Sequence, residues 1–383
     1  MGLAYDFSQL PQCIDIFREK LRIAVVHGGD KTVENAVIYQ THNPRSTKTY
    51  EVVANDIANS LRDLGFKHVF VIPDDATLGD RLRTNNIHIA WLNTGGVQGY
   101  NPVCHTPAIM EMLGVPYVGH NPLNSSILDN KHSFKRELQG LGFPTAPFMI
   151  WHPAQGEFMA GKNTRFQQLF GNYTGSFLAK PVSGRASLNI HFVDNPKDLT
   201  EAIADIHHVT HNTALIEPFL PGREFCVSVC GYVRHKNGVF TKPEEPFTFS
   251  ILERLLGADE KIFTSMDKKA ITGKRVQLVD DSEPVKNELA KLAARIYREF
   301  SLNTLIRIDA RMDEYGNIQI LEANPKPDLK RPAANVTSLT AQGLSEQGMT
   351  YEDFILSLIS DRLDYLLTNH RRIISHITAL LEN

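Results

Sequence analysis

RIDARMDEYGNIQILEANPKP, residues 307–327, alternates on either side of a polar turn. By the two-residue period of a strand, Ile306, Ile308 and Ala310 fall on one face and Arg307, Asp309 and Arg311 on the other. Asp313-Glu314-Tyr315-Gly316-Asn317 supplies the turn, and on the return strand Glu322 and Asn324 share a face. Such a hairpin brings Asp309 near Glu322 and Asn324. Two carboxylates and an amide oxygen make a hard, all-oxygen donor set, which Mg²⁺ takes together with phosphate oxygens and water. Arg307, two residues from Asp309, is placed to neutralise charge on a transferring phosphoryl group. A solvated hairpin face with a chance ion pair is the competing reading. The ordered string R-x-D, then L-E-A-N-P, is more specific than that reading requires.

Three upstream segments fit a phosphate-handling site. Phe177 to Lys180 reads as a strand that delivers Lys180 into a loop of small residues, Ser183-Gly184-Arg185-Ala186-Ser187. Successive backbone N–H groups in such a loop can cradle phosphate oxygens, and the lysine adds a point charge. The spacing of a Walker motif is absent. Leu215-Ile216-Glu217-Pro218-Phe219-Leu220, followed by Gly222-Arg223-Glu224-Phe225, is a strand running into an extended linker. There Glu217 could accept from an exocyclic amine and Glu224 from ribose hydroxyls. Lys131 opens a helix in Asp129-Asn130-Lys131.

Around these segments the chain divides into three units. Residues 1–125 alternate strand and helix: Leu21–Val26, Tyr50–Leu64, Val69–Ile72, Ile87–Leu92, Met110–Leu113 and Pro116–Gly119, the pattern of an open parallel α/β sheet. Residues 126–220 read as a small α+β unit that begins with one helix over Ile127–Leu141. Residues 221–383 form a second α+β unit carrying the metal hairpin, an amphipathic helix over Pro284–Phe300 and a terminal helix or pair of helices over Tyr351–Leu381. Gly238–Asp281 has weak periodicity and reads as a lid or binding loop.

Composition excludes several classes. The 383 residues are 42% hydrophobic and 22% charged, which is ordinary for a globular chain. A net charge of −3 gives no reason to expect nucleic acid as a partner. No apolar run approaches the roughly 18 residues that span a bilayer. The start, MGLAYDFSQL, lacks the pattern of a secretory signal, so a cytoplasmic location with no membrane partner is expected. Of the four cysteines, Cys226 and Cys230 share a strand face. With no further ligand at metal spacing, they read as reduced core thiols.

The phosphate-site phrases, in this order, resemble the ATP-grasp enzymes and in particular the D-alanine–D-alanine ligase family. The resemblance covers about Leu92 to Pro332 and adds a plausible N-terminal α/β domain. It implies an α/β and α+β ATP-grasp fold whose two α+β subdomains sandwich ATP. It implies one or two Mg²⁺ ions (or Mn²⁺) on Asp309, Glu322 and Asn324. Arg307 would contact an acyl-phosphate. Lys131, Lys180, Ser183, Gly184 and Ser187 would grip phosphates, while Glu217, Phe219, Leu220 and Glu224 would hold the nucleoside. It further implies a small amino acid as substrate, an acyl-phosphate path to a C–N bond, and a homodimer.

The amino-acid half departs from the family. After Asn324 the chain reads Pro325-Lys326-Pro327-Asp328-Leu329-Lys330-Arg331-Pro332-Ala333. Asp328 replaces a glycine, and Ala333 falls about where a serine holds the second substrate's carboxylate. A histidine of the family is replaced by about Asn93 or Thr94. Lys326, Lys330 and Arg331, with Asn93 and Asp328, are therefore the expected substrate contacts, the cations clamping carboxylates. The substrate is expected not to be D-alanine. The alternatives are a ligase that adds an amino acid to mycosporine-glycine by C=N formation, a D-alanine–D-alanine ligase proper, and a nucleotide sensor without catalysis.

Overall fold

The computed structural model describes residues 5–29, 50–97, 102–184, 189–257, 260–262, 275–333 and 338–382. Its first sheet joins β1 (Arg22–His27), β2 (His68–Pro73), β3 (Ile89–Asn93) and β4 (Tyr117–Val118) in the order β2-β1-β3-β4, parallel throughout. A parallel sheet is covered on both faces, so its strands are apolar at successive positions. Ile23 and Val25 enter one core, with α1 (Leu10–Lys20) and α2 (Glu51–Asp63). Ala24 and Val26 enter another, with α3 (Leu78–Thr84) and α4 (His105–Leu113). The strand order reverses between β1 and β3, where His27 pairs with Asn93. Crevices for ligands in open α/β sheets lie at such switch points.

The expected helix over Ile127–Leu141 is two helices, α5 (Pro122–Asp129) and α6 (Lys131–Gly140). Asn130 separates them because its side chain accepts the Ser133 N–H at 3.0 Å and so caps the second. The second sheet follows: β5 (Met149–Trp151), β6 (Phe177–Pro181), β7 (His191–Val193) and β8 (Ala214–Pro218), ordered β5-β8-β6-β7 and antiparallel. Helices α7 (Thr164–Phe170) and α8 (Leu199–Thr210) close its core around Phe158, Phe166, Phe170 and Phe177.

The third sheet is built from β9 (Glu224–Cys230), β12 (Phe247–Arg254), β13 (Val276–Leu278), β14 (Ile306–Met312) and β15 (Ile318–Asn324), in the order β13-β12-β9-β14-β15. A small hairpin, β10 (Arg234–Lys236) with β11 (Val239–Thr241), stands apart from it. The expectation of an irregular lid over Gly238–Asp281 is thus corrected for its described part. Phe247 and Phe249 alternate into the core, and the prolines and charges of 242–246 hide that period in the sequence. One face of the sheet buries Phe225, Val227, Ile306, Ile308 and Ile320 beneath α9 (Pro284–Glu299). The other face carries the charged residues. Last, α10 (Tyr351–Asn369) packs among α1, α2 and β12, and α11 (Ser375–Thr378) follows it. Among the described residues no helix is long and apolar enough to cross a membrane.

Candidate active site

The hairpin places Asp309 directly opposite Glu322, and Arg307 opposite Asn324. A β-bulge makes this so. Ala310 pairs with Ile320 and Asp309 with Glu322, so Leu321 is an extra residue on β15. Before the bulge the core residues are Ile318 and Ile320; after it, Ala323 is the core residue. Were the same sequence paired without a bulge, Asp309 would face Leu321 and Glu322 would point into the core. The closing turn is local: Asp313 Oδ1 accepts the N–H groups of Tyr315 (2.9 Å) and Asn317 (2.8 Å), and Gly316 takes φ +83°.

The charged face lies across from β6 and β8, with a cavity of about 60 Å³ between the two sheets. Leu178, Ile190, Leu220, Ile262 and Leu321 make its apolar part, and Lys180, Glu217, Glu224, Arg254, Asp309, Arg311 and Glu322 its charged part. Asp309 is 3% exposed. Arg307 donates to its Oδ1 (Nε, 2.8 Å) and Oδ2 (Nη2, 3.1 Å), and Arg254 Nη2 donates to Oδ2 at 2.8 Å. Burial alone would raise this carboxyl, but the two arginines hold it at about 2. Glu322 meets Lys131 Nζ at 3.0 Å. Burial opposes its charge, and Lys131 holds it below the usual carboxylate range even with Asp309 beside it.

Lys131 sits at the first position of α6 and also donates to the Gly184 carbonyl at 3.1 Å, tying the helix to the loop after β6. Ser183 accepts from Asn212 Nδ2 at 2.7 Å on its hydroxyl. Ser187 lies outside the described residues. Lys180 is buried and meets Glu217 at 2.5 Å, while Lys135 meets the other Glu217 oxygen at 3.0 Å. The expectation of Glu217 as an open acceptor at a nucleobase edge is corrected: both of its oxygens are held by lysines. Burial would raise its carboxyl, and Lys135 and Lys180 together hold it at about 2. Glu224 is likewise paired, with Arg254 at 2.8 Å and Arg311 at 3.3 Å. Phe219 stacks edge-on against Phe192, centroids 4.9 Å apart, and carries Arg311 over its ring at 4.7 Å.

The expected substrate cations do not act as a group. Lys326 Nζ lies 3.4 Å from the centroid of the Tyr50 ring, and Asn93 Nδ2 donates to the Tyr50 carbonyl at 3.1 Å. Asp328 Oδ1 accepts the Lys330 N–H at 3.1 Å, which caps that turn. Arg331 is turned away from this side, its guanidinium held by Asp63 of α2 and Glu352 of α10. Its role as a carboxylate clamp is corrected on that ground.

Two residues of the site were missed. Lys135 could have been found, since it lies four residues after Lys131 and so on the same face of α6. Arg254 could not, because only the bulge between Phe249 and Leu252 turns it toward Asp309. Lys131, Lys135, Lys180, Arg254, Arg307 and Arg311 surround four carboxylates, Glu217, Glu224, Asp309 and Glu322. That excess of two positive charges, on side chains that are mostly buried, suits a polyanion. Asp309 and Glu322, both ionised and opposed across the hairpin, with the Asn324 amide one pair further on, fit a small oxygen-seeking dication. Among the described residues no three or more His, Cys, Asp or Glu side chains gather into a metal cluster, so phosphate and water oxygens would complete the shell.

Comparison with known proteins agrees with this architecture. Residues 138–360 match the family model described as "D-ala D-ala ligase C-terminus". A D-alanine--D-alanine ligase of Pelotomaculum thermopropionicum is 24% identical over 345 residues, covering 88% of this chain and 96% of that ligase. Among solved structures, the D-alanine-D-alanine ligase of Coxiella burnetii superposes with a TM-score of 0.66 at 16% identity, covering 95% of this chain and 99% of the other. The ligase of Bacillus anthracis complexed with ATP gives 0.64 at 17% identity, covering 90% and 98%. The fold is ATP-grasp.

Proposed function

The chain belongs to the D-ala D-ala ligase C-terminus family, and from that premise we propose that it is an ATP-dependent ligase joining a carboxylate to an amine. ADP and phosphate are the other products. The observation that carries the proposal is the cleft itself, where Asp309 and Glu322 face Lys131 and Lys180 across two sheets. Phosphoryl transfer needs positioning and charge neutralisation more than a covalent catalyst.

The roles follow from placement. Lys131 and Lys180 bind the β- and γ-phosphates, Lys131 from the start of α6 and Lys180 from β6. Asp309, Glu322 and Asn324 would hold Mg²⁺, which when bound neutralises the phosphate oxygens. Arg307 stays beside the carboxyl oxygen that is phosphorylated. The amine then attacks the activated carbon, and phosphate leaves. Glu217 positions Lys135 and Lys180, and Leu220 and Phe219 border the nucleoside. The units 1–125, 126–220 and 221–383 bring acceptor, nucleotide and metal together, in that order.

The amino-acid side is not that of a D-alanine dimer. Ala333 has no hydroxyl for a second carboxylate, and Lys326 lies over the ring of Tyr50, whose carbonyl accepts from Asn93 at the end of β3. An acidic acceptor is the class this favours. The test is ADP release in the presence of Mg²⁺, screened over amino acids and small carboxylate donors. ADP formation that requires one amine and one carboxylate together is expected, with D-alanine alone inactive. ATP binding without ADP release on any pair would instead favour a sensor.

A further inference from the structure

Arg254 stands at the end of β12, two strands from β14 in the sheet order, and its guanidinium reaches past β9 to Asp309. Its side chain is 8% exposed. Nη2 donates to Asp309 Oδ2 and Nη1 to Glu224 Oε1, each at 2.8 Å. Arg307 also occupies both oxygens of Asp309. Arg307 sits two residues along the same strand and cannot leave Asp309 by much. Arg254 comes on a long arm from another strand and has Glu224 as a second partner. A dication bound by Asp309 needs one of the oxygens these arginines hold, and it repels both guanidinium groups. Arg254, held from a separate strand, is the one whose reach lets it yield.

We infer that Arg254 is a phosphate-binding residue that exchanges partners: a divalent cation takes its place on Asp309, and a nucleotide phosphate receives the guanidinium, with Glu224 as the pivot. This rests on the ligase function proposed above. A planar guanidinium suits the new partner, because it binds phosphate through two parallel N–H donors. The exchange also links metal and nucleotide, each favouring the other, without movement of the backbone. It predicts opposite signs for the two ligands when Arg254 is removed, a result that loss of structure does not give.

The experiment compares wild type with Arg254→Met, which keeps most of the volume of the side chain. ADP and adenosine binding are measured by calorimetry, and Mn²⁺ binding without nucleotide by electron paramagnetic resonance. In Arg254→Met, ADP affinity with Mn²⁺ is expected to fall about 10- to 100-fold, the scale of a lost charge-assisted pair. Adenosine affinity should stay within about twofold, and Mn²⁺ alone should bind more tightly. Unchanged ADP affinity, a parallel loss for adenosine, or weakened Mn²⁺ binding would each overturn the inference. If circular dichroism shows Arg254→Met unfolded, Arg254→Lys decides. It cannot span both carboxylates, so the same signs are expected at smaller size, and reversed or flat responses refute the exchange. A wild-type protein that binds neither ADP nor ATP overturns the ligase proposal as well, whereas normal wild-type binding with a flat variant overturns this inference alone.

Discussion

Glu217 holds two lysines that burial would otherwise penalise. It is 1% exposed, and its oxygens meet Lys180 at 2.5 Å and Lys135 at 3.0 Å. Burial pushes Lys135 below its ordinary value despite this contact, while Lys180, which also feels Glu322, is held above its own. Removing the carboxylate leaves two buried cations uncompensated, which costs about 3–5 kcal/mol for a broken buried pair. Glu217→Gln should therefore unfold at lower denaturant than wild type at pH 7. The pH dependence has a definite sign. The folded carboxyl is held at about 2, below its usual 4.5, so its contribution is present above 4.5 and lost as pH falls toward 2. The gap between variant and wild type should shrink over that window in urea titrations. A gap independent of pH would contradict the pairing.

At the scale of elements, the bulge at Leu321 decides which face the metal carboxylate takes. Deleting Leu321 removes the bulge and leaves Ile320, Glu322, Ala323 and Asn324 in plain alternation, so Glu322 stays opposite Asp309, whereas one alanine inserted after Leu321 moves Glu322 out of register with Asp309. Leu321→Ala keeps the extra residue. The insertion should abolish Mg²⁺-dependent nucleotide binding and lower the melting temperature, while the deletion and Leu321→Ala should retain binding. Binding that survives the insertion would mean the register is not what orients Glu322. The hairpin was legible in the sequence because its alternation is strong and its turn carries Gly316. The bulge was not, since one extra residue in I-Q-I-L-E-A-N leaves the string looking regular. The α5–α6 break was hidden for a related reason: Asn130 is one polar residue in an otherwise helical pattern. The sequence around strand β12 reads as a lid because its flanks, not its own residues, dominate the composition there. The phosphate lysines and carboxylates were legible because each lies in an ordered phrase, whereas pairings such as Lys131 with Glu322, Lys180 with Glu217 and Arg254 with Asp309 join separate elements, at distances sequence spacing does not encode.

Over the whole molecule, α10 joins the first sheet to the third. Phe354 packs on Phe249 of β12 with centroids 4.9 Å apart, and Arg331 bridges Asp63 and Glu352 beside it. Within this helix Asp361 is half-buried and accepts the N–H groups of Tyr232 (2.7 Å) and Val233 (2.9 Å). Gly231 is required there, because a Cβ would lie 1.9 Å from Asp361 Oδ2. Burial raises this carboxyl to about 6 against the two N–H donors, from an ordinary 3.8. A raised folded value means stability that is full below 3.8 and lost as pH rises through 6, about 3 kcal/mol at most. Asp361→Asn keeps the accepting oxygen without the charge. It should gain on wild type between pH 4 and 7 in chemical denaturation, and equal curves across that range would refute the buried charge.

The most direct measurement is calorimetric titration of a non-hydrolysable ATP analogue into wild type and Glu322→Gln, with and without Mg²⁺. Wild type should bind the analogue more tightly with Mg²⁺ than without, and Glu322→Gln should lose that difference while still binding the metal-free analogue. Equal affinity with and without Mg²⁺ in wild type, or a full Mg²⁺ effect in Glu322→Gln, would contradict a metal-bearing hairpin at the nucleotide phosphates.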